Sequence, residues 1–231
     1  MKLIITCEHG GNLIPEDYNH YFKDCKGVLN SHRGYDLGAL DVFKTIEPIA
    51  DYALCSETSR LLIELNRSLH NHHLFSQFTK SLPKKNKKQI ITSYYFPYRN
   101  AVENMIADWI HQNEMVLHLS IHSFTPILNK VKRHADIGLL YDSKSVNEKT
   151  FCKSFKKELN LFNPSLNIRY NYPYLGSADG FTTYLRKQFS KNYLGVEVEV
   201  NQKYSVDNLM NIDLKKTLFS SIKSILKQKL A

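Results

Sequence analysis

The sequence predicts an α/β fold: a mostly parallel sheet covered by helices on both faces. Three observations predict it. Short apolar runs of strand length alternate with segments whose apolar residues recur at helical spacing. No internal repeat and no Pro- or Ser-rich linker interrupts that alternation. The 231 residues, 42% hydrophobic and 12% aromatic, suit a single domain spanning 1–231 with a core that needs no disulfide staples.

The elements follow in order. Leu3–Cys7 reads as a buried first strand. Leu37–Ile46 reads as a helix with Leu37, Leu40, Phe43 and Ile46 on its period, ending near Pro48. Tyr52–Cys55 and Leu61–Leu65 are short strands, and about 69–89 is a His/Asn/Lys-rich loop excursion. Tyr98–Gln112 is a helix, because Val102, Ile106, Trp109 and Ile110 share a face. Met115–Ile121, Asp136–Tyr141, Asn167–Tyr170 and Tyr193–Val200 are strands, with helices at Asn147–Leu159 and Gly180–Phe189. Asp213–Leu230 closes the chain as a helix with Leu214, Leu218, Ile222, Leu226 and Leu230 at i, i+4.

Composition excludes several classes. The chain is too apolar for intrinsic disorder, and no run approaches the roughly 18 apolar residues of a membrane helix. The apolar start reaches Glu8 and His9 too soon for a signal peptide, so a cytoplasmic location is expected. Cys7, Cys25, Cys55 and Cys152 have no C-x-x-C spacing and are expected reduced. The net charge of +9 invites a polyanion partner, but 12 lysines in the segments 84–88, 153–157 and 215–229 carry the excess. Without them, 19 basic residues face 22 acidic ones. The lysines at 84–88 lack interleaved aromatics, so no nucleic-acid partner and no membrane partner is expected.

Four polar clusters fall where α/β sheets place sites, at strand ends and helix entries. They are Cys7–Pro15, Ser31–Ala39, His118–Phe124 and Gly195–Gln202. A hydrolytic zinc site needs about three N/O ligands and an open position, with a free carboxylate to take a proton. His9, His122 and Asp36 can supply the ligands. Glu197 and Glu199, two apart on one strand, share a face, and either can be the base. Phosphate-loop and nucleophile-elbow motifs are missing around Gly10-Gly11 and the serines.

Together the clusters resemble the N-formylglutamate amidohydrolase family, relatives of zinc carboxypeptidases. The resemblance runs from Leu3 to Gln202, through Cys7–Pro15, His32–Ala39, Ser59-Arg60-Leu61, Leu65-Asn66-Arg67, Ile121–Pro126, Asp136–Tyr141, Asn171–Gly180 and Val198-Glu199-Val200. It implies a three-layer αβα sandwich with a mostly parallel mixed sheet, zinc carboxypeptidase/phosphorylase-hydrolase-like. It implies Zn²⁺ held by His9, Asp36 and His122. The His-x-x-Glu ligand pair of carboxypeptidases falls here on His9 and Asn12, so Asp36 takes the carboxylate role, with Glu8 second. Glu199 would be the base, and Arg67 with Asn66 would bind a substrate carboxylate. Arg133 would polarise the carbonyl, Arg99 would bind an anion, and Asn171, Tyr174 and Asp179 would line the specificity side. His32 would sit behind the metal or orient the oxyanion. The implied substrate is a small anionic N-acylated compound such as N-formylglutamate. The alternatives are a carboxypeptidase-like peptidase and, from another class, a basic nucleic-acid-binding protein.

Overall fold

The computed structural model describes residues 1–230, with side chains through Gln228. The contributions expected of Lys229 and Leu230 lie outside the described side chains.

The chain opens with β1 (Lys2–Cys7), the short α1 (Lys26–Leu29), α2 (Ala39–Ile46) and β2 (Tyr52–Cys55). Next come α3 (Lys84–Ile90), α4 (Phe96–His111) and β3 (Val116–Phe124). A hairpin of β4 (Ile127–Leu128) and β5 (Val131–Lys132) leads into β6 (Ile137–Leu140), α5 (Val146–Phe162) and β7 (Ile168–Tyr170). Then follow α6 (Phe181–Gln188), β8 (Tyr193–Asn201), a second hairpin of β9 (Ser205–Val206) and β10 (Leu209–Met210), and α7 (Ile212–Leu230).

The central sheet has the order β2-β1-β3-β8-β6-β7. It is mixed and mostly parallel: only the β6–β8 pairing is antiparallel. Period-two alternation sorts its side chains. Leu117, Leu119 and Ile121 of β3 and Leu194, Val196, Val198 and Val200 of β8 pack in one core with α2, α5 and α7. The other face meets α4 and α6 through Val116 and Tyr193. That second face therefore carries His118, Ser120 and His122 from β3, and Glu197 and Glu199 from β8. Both nine-residue strands are buried throughout.

Three expected elements differ. Leu61–Leu65 is a run of turns rather than a strand, with the Leu62 amide donating to Ser59 and the Glu64 amide to Leu74. Its apolar side chains fill the second core, while Arg60, Glu64 and Asn66 reach the cleft, a split that strand alternation does not provide. Within the 69–89 excursion, Lys84–Ile90 is helical and runs through a π turn into α4, which has Pro97 in its first turn. Leu74 and Leu82 anchor the rest of that loop in the second core. The strand expected to end at Ile121 continues to Phe124, so His122 lies inside it. All four cysteines are free, as expected. No helix among the described residues is long and apolar enough to cross a membrane.

Candidate functional site

β1 runs into the site through Glu8 and His9, α2 is preceded by Asp36, and β3 supplies His122. The Oδ2 atom of Asp36 lies 3.3 Å from His9 Nδ1 and 2.9 Å from His122 Nδ1. One ligand atom from each of these three buried residues can be chosen so that all lie within 4.8 Å of one another, the spread expected around a single metal ion.

The far nitrogen of each ring is also held. His9 Nε2 bonds to Glu64, and His122 Nε2 lies 3.1 Å from Glu8 Oε2 and 2.9 Å from Ser120 Oγ. Glu8 is itself fixed by donations from Ser120 Oγ at 2.6 Å and Tyr98 OH at 3.1 Å. A carboxylate behind each histidine orients the ring and raises its basicity, the arrangement common around protein metal sites. Glu8 thus meets His122 on the nitrogen turned away from Asp36. Burial alone pushes the Asp36 carboxyl up, yet His9, His122 and Arg60 hold it well below the usual carboxylate range. Arg60 donates to Asp36 Oδ1 at 3.2 Å and to Glu64 Oε2 at 2.9 Å, locking the two acids together.

These residues open on a cavity of about 190 Å³, also lined by Asn66, Arg67, Tyr174, Asp179, Glu197 and Glu199. Burial first, then the neighbouring Asp36 and Glu197 charges, push the Glu199 carboxyl up to about 8. Its Oε2 atom is buried without a hydrogen-bond partner. An orphaned acid beside two histidines and an aspartate fits a site built for one more positive group. The donor set, nitrogen and oxygen only, suits zinc.

Arg67 donates through Nη1 to the carbonyls of Asn66 at 2.9 Å and Asp179 at 2.8 Å, which aims its guanidinium along the cavity wall. Asn66 accepts from the Phe181 amide at 2.6 Å, and its Nδ2 lies 3.4 Å from His122 Nε2. Asp179 accepts from the Ser68 amide and from Asn71 Nδ2.

Other expected site residues are placed elsewhere. Arg99 does not line this cavity. It is buried between the rings of Tyr95, Phe181 and Tyr184, and its Nη1 donates to the carbonyls of Leu65 and Arg67. Asn171 bonds the amides of Tyr141 and Gly176, fixing the base of the 171–180 loop rather than facing the cavity. Arg133 stands at the outer rim, its Nη1 3.3 Å from Tyr174 OH. His32 is exposed and outside the cavity. His118 is enclosed by Thr6 Oγ1 and Tyr193 OH, and burial pushes its pKa down to about 4, so it serves as a neutral core histidine.

Sequence reading missed Glu64 and Arg60 as parts of the site. The signal was present: Glu64 is the one charge in the apolar run 61–65, and a buried charge needs a partner.

The fold and the His–Asp–His cleft define an α/β protein with a candidate hydrolytic metal centre. Residues 1–205 match the N-formylglutamate amidohydrolase family, and the chain belongs to that family. Two solved structures share the fold closely. One is gene product Atu2144 from Agrobacterium tumefaciens, with 22% identity and a TM-score of 0.77 over 97% of this chain and 92% of that one. The other is N-formylglutamate amidohydrolase from Ralstonia eutropha JMP134, with 15% identity and a TM-score of 0.75 over 99% and 93%. A metallo-carboxypeptidase from Burkholderia cenocepacia aligns with a TM-score of 0.46 and 10% identity, over 99% of this chain and 57% of that one. No curated protein matches the sequence significantly. Family membership supports hydrolysis of the amidohydrolase type.

Proposed function

We propose that the protein is a zinc-dependent amidohydrolase that cleaves the amide of a small N-acyl amino acid, of which an N-formyl amino acid is the simplest case. The observation that carries this reading is the convergence of His9 Nδ1 and His122 Nδ1 on Asp36, with Glu199 lining the same cavity. His9, Asp36 and His122 would hold a zinc ion, which when bound would supply Lewis-acid polarisation and acidify a water. Glu199 takes the proton from the water as its oxygen bonds to the acyl carbon, then delivers it to the amine nitrogen as the C–N bond breaks. Arg67 binds the amino-acid carboxylate, and the hydrogen bonds of Asn66 hold the adjoining wall in place. A volume of about 190 Å³ suits one amino acid better than a peptide.

The test is formate release from N-formyl amino acids by the metal-free and zinc-loaded protein. Release restored by zinc is expected; an undiminished rate in chelator overturns the metal assignment.

A further inference from the structure

We propose that the protein carries a second small-molecule site on α4, which takes an apolar α-amino acid as an effector of the catalytic cavity. The binding itself does not depend on the amidohydrolase reading above.

The site is a cavity of about 240 Å³, against about 190 Å³ for the catalytic one, and no residue lines both. Arg99 and Glu103 line it, four residues apart on α4. Opposite charges at that spacing can pair along a helix. Here they do not: among the described residues Arg99 forms no ion pair. Its Nη1 donates instead to the carbonyls of Leu65 at 3.0 Å and Arg67 at 3.3 Å, and the rings of Tyr95, Phe181 and Tyr184 cage the guanidinium. Arg99 is only 3% exposed, and its Nη2 is buried without a hydrogen-bond partner. Ring faces offset the charge of a cation, but they leave the in-plane N–H groups without an acceptor. A buried donor in that state marks a missing partner. Glu103 keeps Oε2 on the Tyr184 hydroxyl, at 2.9 Å, and its other oxygen accepts no hydrogen bond among the described residues.

A carboxylate alone would answer Arg99 and leave Glu103 unmatched. A ligand with a carboxylate and an ammonium on one carbon answers both. The rest of the wall is apolar, with Leu69 and Phe96 exposed beside the rings of Tyr95 and Tyr184. That surface suits an aliphatic or aromatic side chain. Occupancy bears on catalysis through Arg67. The Arg67 carbonyl accepts from Arg99 Nη1 and, at 2.7 Å, from Tyr95 OH. Both donors belong to residues of the second cavity, whereas Arg67 lines the catalytic one. A ligand that braces these two donors fixes Arg67 for a substrate carboxylate.

Calorimetry with L-leucine, isocaproate (leucine without the amine) and isoamylamine (leucine without the carboxylate) tests the site. L-leucine is expected to bind at least about tenfold tighter than either relative, the worth of one charge pair. Glu103→Gln is expected to remove the advantage over isocaproate and to leave isocaproate binding unchanged. No binding of L-leucine, equal affinity for the three compounds, or leucine affinity unaltered in Glu103→Gln overturns the site. In the assay of formate release, saturating L-leucine is expected to lower KM about fivefold in the parent but not in Glu103→Gln, with kcat little changed. An unchanged KM in the parent overturns the effector role. A KM raised alike in both proteins places leucine in the catalytic cavity and overturns the site. Leucine binding as expected, without formate release from any compound, overturns the amidohydrolase reading and leaves the binding site standing.

Discussion

Glu199 is the direct cross-strand partner of His122: their Cα positions pair across the parallel β3–β8 ladder, and both side chains leave the sheet on the same face. The candidate base and a candidate ligand are thus set by neighbouring central strands, each hydrogen-bonded on both sides. Groups placed on such strands keep their spacing better than groups on loops.

The burial of Glu199 has a pH signature in the metal-free protein. The Glu199 carboxyl titrates near 8 when folded, against 4.5 for a free glutamate. A raised folded value favours the protonated native form. Its stabilising contribution is complete below about 4.5 and is lost as pH rises through about 8. Metal-free Glu199→Gln is therefore expected to lose less Tm than the parent between pH 5 and pH 9, by several degrees. Thermal unfolding in chelator across that range checks it; parallel curves would refute the assignment.

With zinc loaded, the same Glu199→Gln change removes the proton carrier while keeping the shape of the side chain. A fall of about 10²–10⁴-fold in kcat is expected, with KM little altered. Steady-state kinetics at saturating metal provide the measurement.

Glu64 acts through His9. Glu64→Gln is expected to weaken zinc binding by about 10–100-fold, since the ring loses the carboxylate behind Nε2. Competition against a chromophoric chelator reads this directly. An affinity equal to the parent's would show that Glu64 serves only to hold Arg60.

Arg67 and Arg99 lie near each other yet should fail differently. Arg67→Lys is expected to raise KM by about tenfold or more, because an ammonium cannot reproduce a bidentate fork. Arg99→Met leaves the carbonyls of Leu65 and Arg67 without this donor, at about 1–3 kcal/mol of stability. Denaturant unfolding should show that loss for Arg99→Met and little for Arg67→Lys.

How much of this was legible in the sequence depended on the kind of signal. Apolar runs exposed β3 and β8, and Glu197 and Glu199 share one face as expected, while His122 joins that face because β3 runs on to Phe124 beside β8. Helical spacing exposed α4 and α7 equally well. Leu61–Leu65 misled because burial by side-chain insertion and burial in a sheet leave the same apolar run. Arg99 and Asn171 misled for another reason. A polar residue in or near a motif can touch a ligand or hold the residues that do, and both belong to the second kind. Strand order, which brings β8 next to β3, has no local signature at all.

The wall formed by 171–180 lies against the sheet where Gly138 has no side chain, since a Cβ there would fall 1.9 Å from the Tyr172 carbonyl oxygen. Asn171 holds the base of the wall, and at its tip Tyr174 is 46% exposed and Leu175 62%. These two positions can therefore vary at little cost to folding. Diversifying Tyr174 and Leu175 in a library should retune which compounds are turned over while nearly every member stays folded, whereas even alanine at 138 would unseat the wall and scramble selectivity in all of them.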